Sequence, residues 1–318
     1  MPDLKTTSKL ITVTGTLDVV DAGITDAHNH VWIAPVFGAQ KGAPVLDNQT
    51  AIEEELNDFR QAGGGTIVDC QPGGCGRDGN VLRDLANASG VNIMASTGFH
   101  LKRYYPPGYW LFREGAEKAN EHFIQELQEG LEETREGSEI VPAGLIKIAC
   151  DESLDKSPLH LIEAAVAASV ETGAGIEVHT ERGADAERIA QTMFDFGLTP
   201  QKLVLCHVDK LPDFGFHSSM AQEGIMLEYD TFYRQKYQPD QKVWSLLERI
   251  VGAGYESQVA IATDMAEAEM WSRMGDGPGL TGLITKIIPS MVVIGFEPEA
   301  IRKLTGENIA QALARPDT

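Results

Sequence analysis

Ile24-Thr25-Asp26-Ala27-His28-Asn29-His30 is the stretch on which the fold turns. A short apolar run, Gly23–Ala27, ends in two histidines separated by one residue. Strand side chains alternate faces, so His28 and His30 project together from one strand end. A doubly wound open sheet usually follows its first strand with a glycine-rich phosphate loop. Here that turn carries imidazoles and offers no such cradle. The competing architecture is a (β/α)8 TIM barrel, which builds its active site at the C-terminal ends of its strands.

The rest of the chain repeats the strand–helix alternation. Further short apolar runs lie at Thr66–Cys70, Val91–Thr97, Val141–Ile148, Gly175–Val178, Leu203–Cys206, Ile225–Glu228 and Val259–Ala262. Helical spacing follows them at Thr50–Ala62, Asn80–Ser89, Glu114–Glu133, Ser157–Thr172, Asp185–Phe196, Lys242–Val251 and Glu297–Ala314, and more weakly at Leu211–Glu223, which carries Pro212 and Gly215. Thr50 with Glu53 reads as a capping box, and Ser157-Pro158 as an N-cap and first helical residue. Leu10–Val20 reads as a small β-hairpin at the N-terminal end of the barrel. We expect one barrel domain over residues 1–318, with its longest insertions after the first, third and eighth strands.

Composition narrows the partners. The 318 residues carry 26 Lys+Arg against 47 Asp+Glu, a net charge of −21. Such a chain repels phosphate backbones and anionic lipid, which argues against nucleic-acid and membrane partners. Met1–Leu10 is polar and shows no apolar signal core. Cys70, Cys75, Cys150 and Cys206 read as buried free thiols of a reducing cytosol, so a cytoplasmic location is expected. Cys70 and Cys75 flank a glycine-rich turn, where a disulfide or metal pair is the alternative.

Chemistry gathers at the strand ends. Lys147 interrupts the apolar run Gly144-Leu-Ile-Lys-Ile-Ala149, where an unpaired lysine is expensive to bury. Its plain alternative is an edge-strand lysine reaching solvent; its functional reading is an amine carbamylated by CO2. His179, His207 and Asp264 end the fifth, sixth and eighth strands. Metal-ligating residue types thus stand at five independent strand ends, where a barrel places its catalytic groups.

The motifs TDAHNH, GLIKIA, EVHTERG, CHVDK and IATD, in this order, resemble those of the phosphotriesterase family of the amidohydrolase superfamily. The resemblance runs from the hairpin at Leu10 to the final helix. The intervals of 32 residues from Lys147 to His179 and 28 from His179 to His207 are also similar. It implies a centre of two divalent ions. His28, His30 and Asp264 would hold the more buried ion, and His179 and His207 the more exposed one. Carbamylated Lys147 and a hydroxide would bridge them. This donor set suits zinc, and also Mn, Fe, Co or Ni. Asp264 would accept the proton of the attacking hydroxide and pass it to the leaving group. Members of this family are often dimers, though no seam in the sequence marks a homodimer.

The resemblance further implies a lactonase, with phosphotriester hydrolysis as the neighbouring activity, because both reactions build charge on an oxygen beside the metal. His100 stands where many lactonases carry a tyrosine, and either binds substrate or lines the pocket. Arg234 and Lys236 follow the seventh strand. Two cations on an active-face loop of an acidic chain suggest a bound phosphate or carboxylate, and so a sugar or phosphosugar lactone. Arg273, in the loop after the eighth strand, is a further candidate, and Trp271 beside it would cap the pocket. Gly275–Gly282 reads as a mobile lid or a tight turn. The competing functions are a phosphotriesterase, another carboxylic-ester or amide hydrolase, and a non-catalytic binding protein on the same scaffold.

Overall fold

The computed structural model describes residues 8–316; the polar start before Ser8 lies outside the described residues. Among these residues, eight parallel strands follow one another in sequence order: β3 (Ile24–Asn29), β4 (Gly64–Asp69), β5 (Asn92–Gly98), β6 (Leu145–Ala149), β7 (Ile176–His179), β8 (Leu203–Cys206), β9 (Met226–Tyr229) and β10 (Val259–Ile261). They form a nearly closed TIM-type barrel. Its seam, between β3 and β10, is carried by a side chain. Asp26 accepts hydrogen bonds from the Thr263 amide (3.0 Å), the Thr263 hydroxyl (2.5 Å) and the Asn29 amide nitrogen (2.9 Å). The Asp264 amide completes the seam by donating to the His28 carbonyl at 3.0 Å.

The strands alternate as two buried faces require. Val68, Met94, Leu145, Val204, Met226 and Ala260 fill the barrel interior. Ile67, Ile93, Ile146, Ile176 and Leu205 face the helices. The expected hairpin is β1 (Ser8–Thr12) with β2 (Gly15–Asp18), and Leu10 from it is fully buried against the interior cluster. The Val13 amide donates to Ile93 near the start of β5, which places the hairpin at the N-terminal end of the barrel. A strand the sequence does not announce, β11 (Arg315–Pro316), pairs antiparallel with β1.

Helix α1 (Gln49–Gln61) is capped by Asn48, which accepts from the Ala51 amide, so Thr50 is not the cap. α2 (Gly79–Ser89), α3 (Ala116–Gln128), α5 (Ala186–Asp195), α6 (Phe214–Gln222) and α7 (Val243–Gly252) follow the expected order around α4 (Leu159–Thr172). α4 starts after Pro158, because the Ser157 hydroxyl is used on the Asp151 amide. α8 (Ile288–Ile294) was not expected. The single helix expected over Glu297–Ala314 is broken into α9 (Pro298–Arg302) and α10 (Asn308–Leu313). The break is at Thr305-Gly306, where a Cβ on Gly306 would strike the Gly23 carbonyl just before the start of β3.

The loop after β4 is pinned by Arg77, which is buried and bonded to both Glu126 and Glu133. All four cysteines are free and buried. No helix among the described residues is long and apolar enough to cross a membrane.

Candidate metal centre

The structure brings the six strand-end residues together at the C-terminal mouth of the barrel. The rings of His28 and His30 lie 5.5 Å apart, those of His28 and His207 4.8 Å, and those of His179 and His207 4.6 Å. Asp264 reaches between them: Oδ1 is 3.8 Å from His30 Nε2 and 4.0 Å from His28 Nε2, and Oδ2 is 3.8 Å from His207 Nδ1. Lys147 Nζ rises from β6 to within 3.3 Å of His28 Nδ1. His207 (φ 65°) and Asp264 (φ 46°) both adopt the left-handed backbone region that side chains avoid. Strain of this kind gathers at functional sites.

These residues fit a metal. Burial holds the imidazoles neutral, which leaves their lone pairs free. It lowers His30 to about 4, lowers His179, and drives His28 and His207 well below the usual range. Neighbouring residues set the tautomers. His30 Nδ1 donates to Gln71 Oε1 at 2.8 Å and His207 Nδ1 to Asp230 Oδ2 at 2.6 Å, which leaves Nε2 of each ring as the donor atom. His179 Nε2 is buried with no hydrogen-bond partner. Burial raises Asp264, but the positive groups around it, Arg234 and Lys210 among them, outweigh burial and hold it below the usual carboxylate range. Ligand atoms within 4.8 Å of one another occur in His28–His30–Asp264 and in His207–Asp230–Asp264. A third such set, His28–Glu177–Cys206–Glu228, lies beneath them. There Lys147 is raised: burial opposes its charge, but Cys206, Cys70, Glu177 and Glu228 around it overrule burial.

A cavity of about 670 Å³ opens above these groups, and the loops after β3, β5 and β10 contribute to its walls. His100 lines it, its ring 5.2 Å from that of His179, and its Nδ1 accepts the Leu101 amide at 2.7 Å. Arg234 also lines it but is committed to protein acids. Its Nη2 lies 3.1 Å from Asp264 Oδ2 and 3.0 Å from Glu267 Oε2. Lys236 is exposed at the rim, and among the described residues no carboxylate pairs with it. Lys210, which the sequence reading passed over, shares this rim. The two ammonium groups lie over the one Tyr237 ring, at 5.6 Å for Lys210 and 5.1 Å for Lys236.

Two expectations fail on placement. Arg273 does not line the cavity; its guanidinium is held by Asp58 of α1 at 2.5 Å. Trp271 is fully buried and donates to the Met265 carbonyl at 2.8 Å, so it packs in the core instead of capping the pocket. The Gly275–Gly282 loop is a tight turn, since a Cβ on Gly275 or Gly277 would meet the backbone of Glu269 or Met270. Sequence reading also missed Asp230 and Gln71. Asp230 ends the seventh strand, so the rule that selected the other strand-end residues could have found it.

A (β/α)8 barrel with buried imidazoles and a carboxylate at its strand ends defines a metal-dependent hydrolase. The chain belongs to the phosphotriesterase family, which it matches over residues 8–313. It is 29% identical to a phospho-furanose lactonase of Mycoplasmopsis synoviae, over 95% of this chain and 91% of that one. It is 28% identical to an N-acetyltaurine hydrolase of Xenopus tropicalis, over 83% of this chain and 77% of that one. Its fold superposes on a lactonase from Listeria monocytogenes with a TM-score of 0.89, at 23% identity, over 96% of this chain and 99% of that one.

Proposed function

We propose that this enzyme is a lactonase that opens an anionic sugar lactone, best a phosphorylated furanose lactone, at a centre of two divalent ions. The observation that carries the substrate class is the Lys210–Tyr237–Lys236 array, two ammonium groups on one ring at the rim of the cavity. In a chain of net charge −21, an exposed Lys236 without a carboxylate partner, sharing its ring with Lys210, marks a place for a substrate anion, although against its burial Asp230, Asp264 and Asp209 already hold the Lys210 ammonium charged. The lactone relatives named above support the same class. A sulfonate would suit the same rim, which keeps an amide hydrolase as the second reading.

His28, His30 and Asp264 would hold the buried ion, His179 and His207 the exposed one, and Lys147, as its carbamate, would lie between them. Zinc suits this set of imidazole and carboxylate donors. Two such ions, when bound, polarise the carbonyl of the substrate and make a water acidic enough to attack near neutral pH. Asp264 takes the proton of that water and returns it to the ring oxygen as the lactone opens. Arg234 keeps Asp264 ionised and aimed. Lys210 and Lys236 hold the phosphate at the rim, which leaves the lactone carbonyl over the imidazoles.

The test is a comparison of kcat/KM for a phosphorylated furanose lactone, the same lactone without phosphate, a paraoxon-like triester and N-acetyltaurine, with metal content measured on the same preparation. We expect about two ions per chain and the highest kcat/KM for the phosphorylated lactone. Preference for the triester or for N-acetyltaurine would overturn the substrate class, and a chain free of metal after growth with added zinc would overturn the centre.

A further inference from the structure

Beneath the imidazoles, the barrel interior holds a layer of ionisable groups that the reaction above leaves unused. Glu177 and Glu228 stand two residues before His179 and Asp230, on the inward face of β7 and β9, and neither has any exposed surface. Cys70 and Cys206 share this layer and are equally buried. Glu177 accepts the Cys70 thiol at 2.8 Å and lies 4.0 Å from Lys147 Nζ. Both oxygens of Glu228 are buried with no hydrogen-bond partner. Burial, with Glu177 and Asp230 nearby, pushes this carboxyl well above the usual carboxylate range, so at that depth it needs a hydrogen bond from a neighbour. The neighbour at hand is His28, whose Nδ1 is 2.9 Å from Glu228 Oε1.

His28 Nε2 is the atom that faces Asp264, at 4.0 Å. For Nε2 to act as a ligand, the ring proton has to sit on Nδ1. Lys147 and Glu228 are the nearest groups to that nitrogen, with Glu177 Oε2 farther off at 3.9 Å. As a free ammonium, Lys147 Nζ, 3.3 Å away, would donate to it, placing the proton on Nε2 and spoiling the ligand; as a carbamate it no longer imposes that tautomer. Glu228 can accept from it. His30 and His207 already have acceptors of this kind in Gln71 and Asp230.

We propose that Glu228 is a positioning residue of the buried half of the metal centre: it accepts the Nδ1 proton of His28 and so fixes the tautomer whose Nε2 faces Asp264. This rests on the two-ion centre proposed above. An outer partner of a metal-ligating histidine typically changes metal affinity by about 10- to 100-fold. Glu228 therefore acts through His28 and touches no substrate.

The experiment uses the full chain loaded with zinc. Zinc release to EDTA is followed in the wild type and in Glu228→Gln, with circular dichroism confirming the fold of the variant. One of the two ions is expected to leave about 10- to 100-fold faster in the variant, the other at the wild-type rate. Equal release of both ions in the two proteins overturns the proposal. If the variant does not fold, ¹⁵N-histidine spectra of the zinc-loaded wild type decide instead. A protonated Nδ1 on His28 supports the proposal, and a bare Nδ1 overturns it. A wild type that takes up no zinc overturns the centre itself, and is told apart from the other outcomes by its stoichiometry.

Discussion

Arg234 holds Asp264 at two points, donating from Nη2 to its backbone carbonyl at 2.6 Å and to Oδ2 at 3.1 Å. The same guanidinium reaches Glu267 at 3.0 Å, so its charge is already matched by protein. Asp264 sits at φ 46°, and the bond to its carbonyl steadies that strained turn. Sequence alone suggested that Arg234 binds substrate. Its geometry makes it a support of Asp264, the carboxylate proposed to move the proton. Arg234→Met should therefore lower kcat by about 10- to 100-fold, the usual cost of losing such a support. KM for the anionic lactone should hardly move. Steady-state kinetics would return Arg234 to the substrate if KM rose while kcat held.

Lys236 carries the opposite expectation. It is exposed, over the Tyr237 ring at 5.1 Å, and shares that ring with Lys210. Loss of one charged hydrogen bond is worth about 1.4 kcal/mol or more, a factor of roughly ten. Lys236→Met should raise KM for a phosphorylated lactone by about that factor and leave a neutral ester alone. An equal change for both substrates would remove the anion site from this rim.

His217 offers a pH test away from the centre. Its Nδ1 takes the Tyr229 hydroxyl at 2.8 Å and its Nε2 donates to the Leu211 carbonyl at 2.9 Å, which locks the neutral ring at both ends. Burial lowers it to about 4 from an ordinary value of 6.5. Between these two values the unfolded chain binds the extra proton and the folded chain does not, so this contribution is present above pH 6.5 and is lost as pH falls toward 4. The stability advantage of wild type over His217→Gln should shrink across that window, by up to about 3 kcal/mol. Urea unfolding of both proteins at several pH values would show it; an advantage constant with pH would contradict it.

Arg77 makes a stability prediction. It bonds Glu126 through Nη1 at 2.9 Å and Nη2 at 2.5 Å, and Glu133 through Nε at 2.8 Å. It also donates to the Ser96 carbonyl at 2.7 Å. Arg77→Met leaves Glu126 as an uncompensated buried charge, a loss of about 3–5 kcal/mol. Chemical unfolding measures it directly. A loss under about 1 kcal/mol would mean that the network is dispensable.

The strand ends were legible because they obey a local rule. Inward and outward positions alternate along each strand, so His28, His30, Lys147, His179, His207 and Asp264 could be placed at one mouth from the sequence and its family resemblance. The same rule held a signal that went unread. Glu177 and Glu228 interrupt apolar strands as Lys147 does, each two residues before a residue of the centre. Helix starts were less legible. Asn48 displaced Thr50 and Pro158 displaced Ser157, because hydroxyl and amide groups choose among several nearby partners.

Pattern and resemblance thus determined the barrel, the order of its strands and which residue types stand at its mouth, since periodicity is written residue by residue along the chain. Tertiary structure decided how the charges are spent. Arg273 meets Asp58, 215 residues away in sequence, and Arg234 meets Asp264, while Lys210 and Lys236 converge on Tyr237. A long cationic side chain reaches several positions from one backbone site, and only the packed fold shows which acid or ring lies within reach.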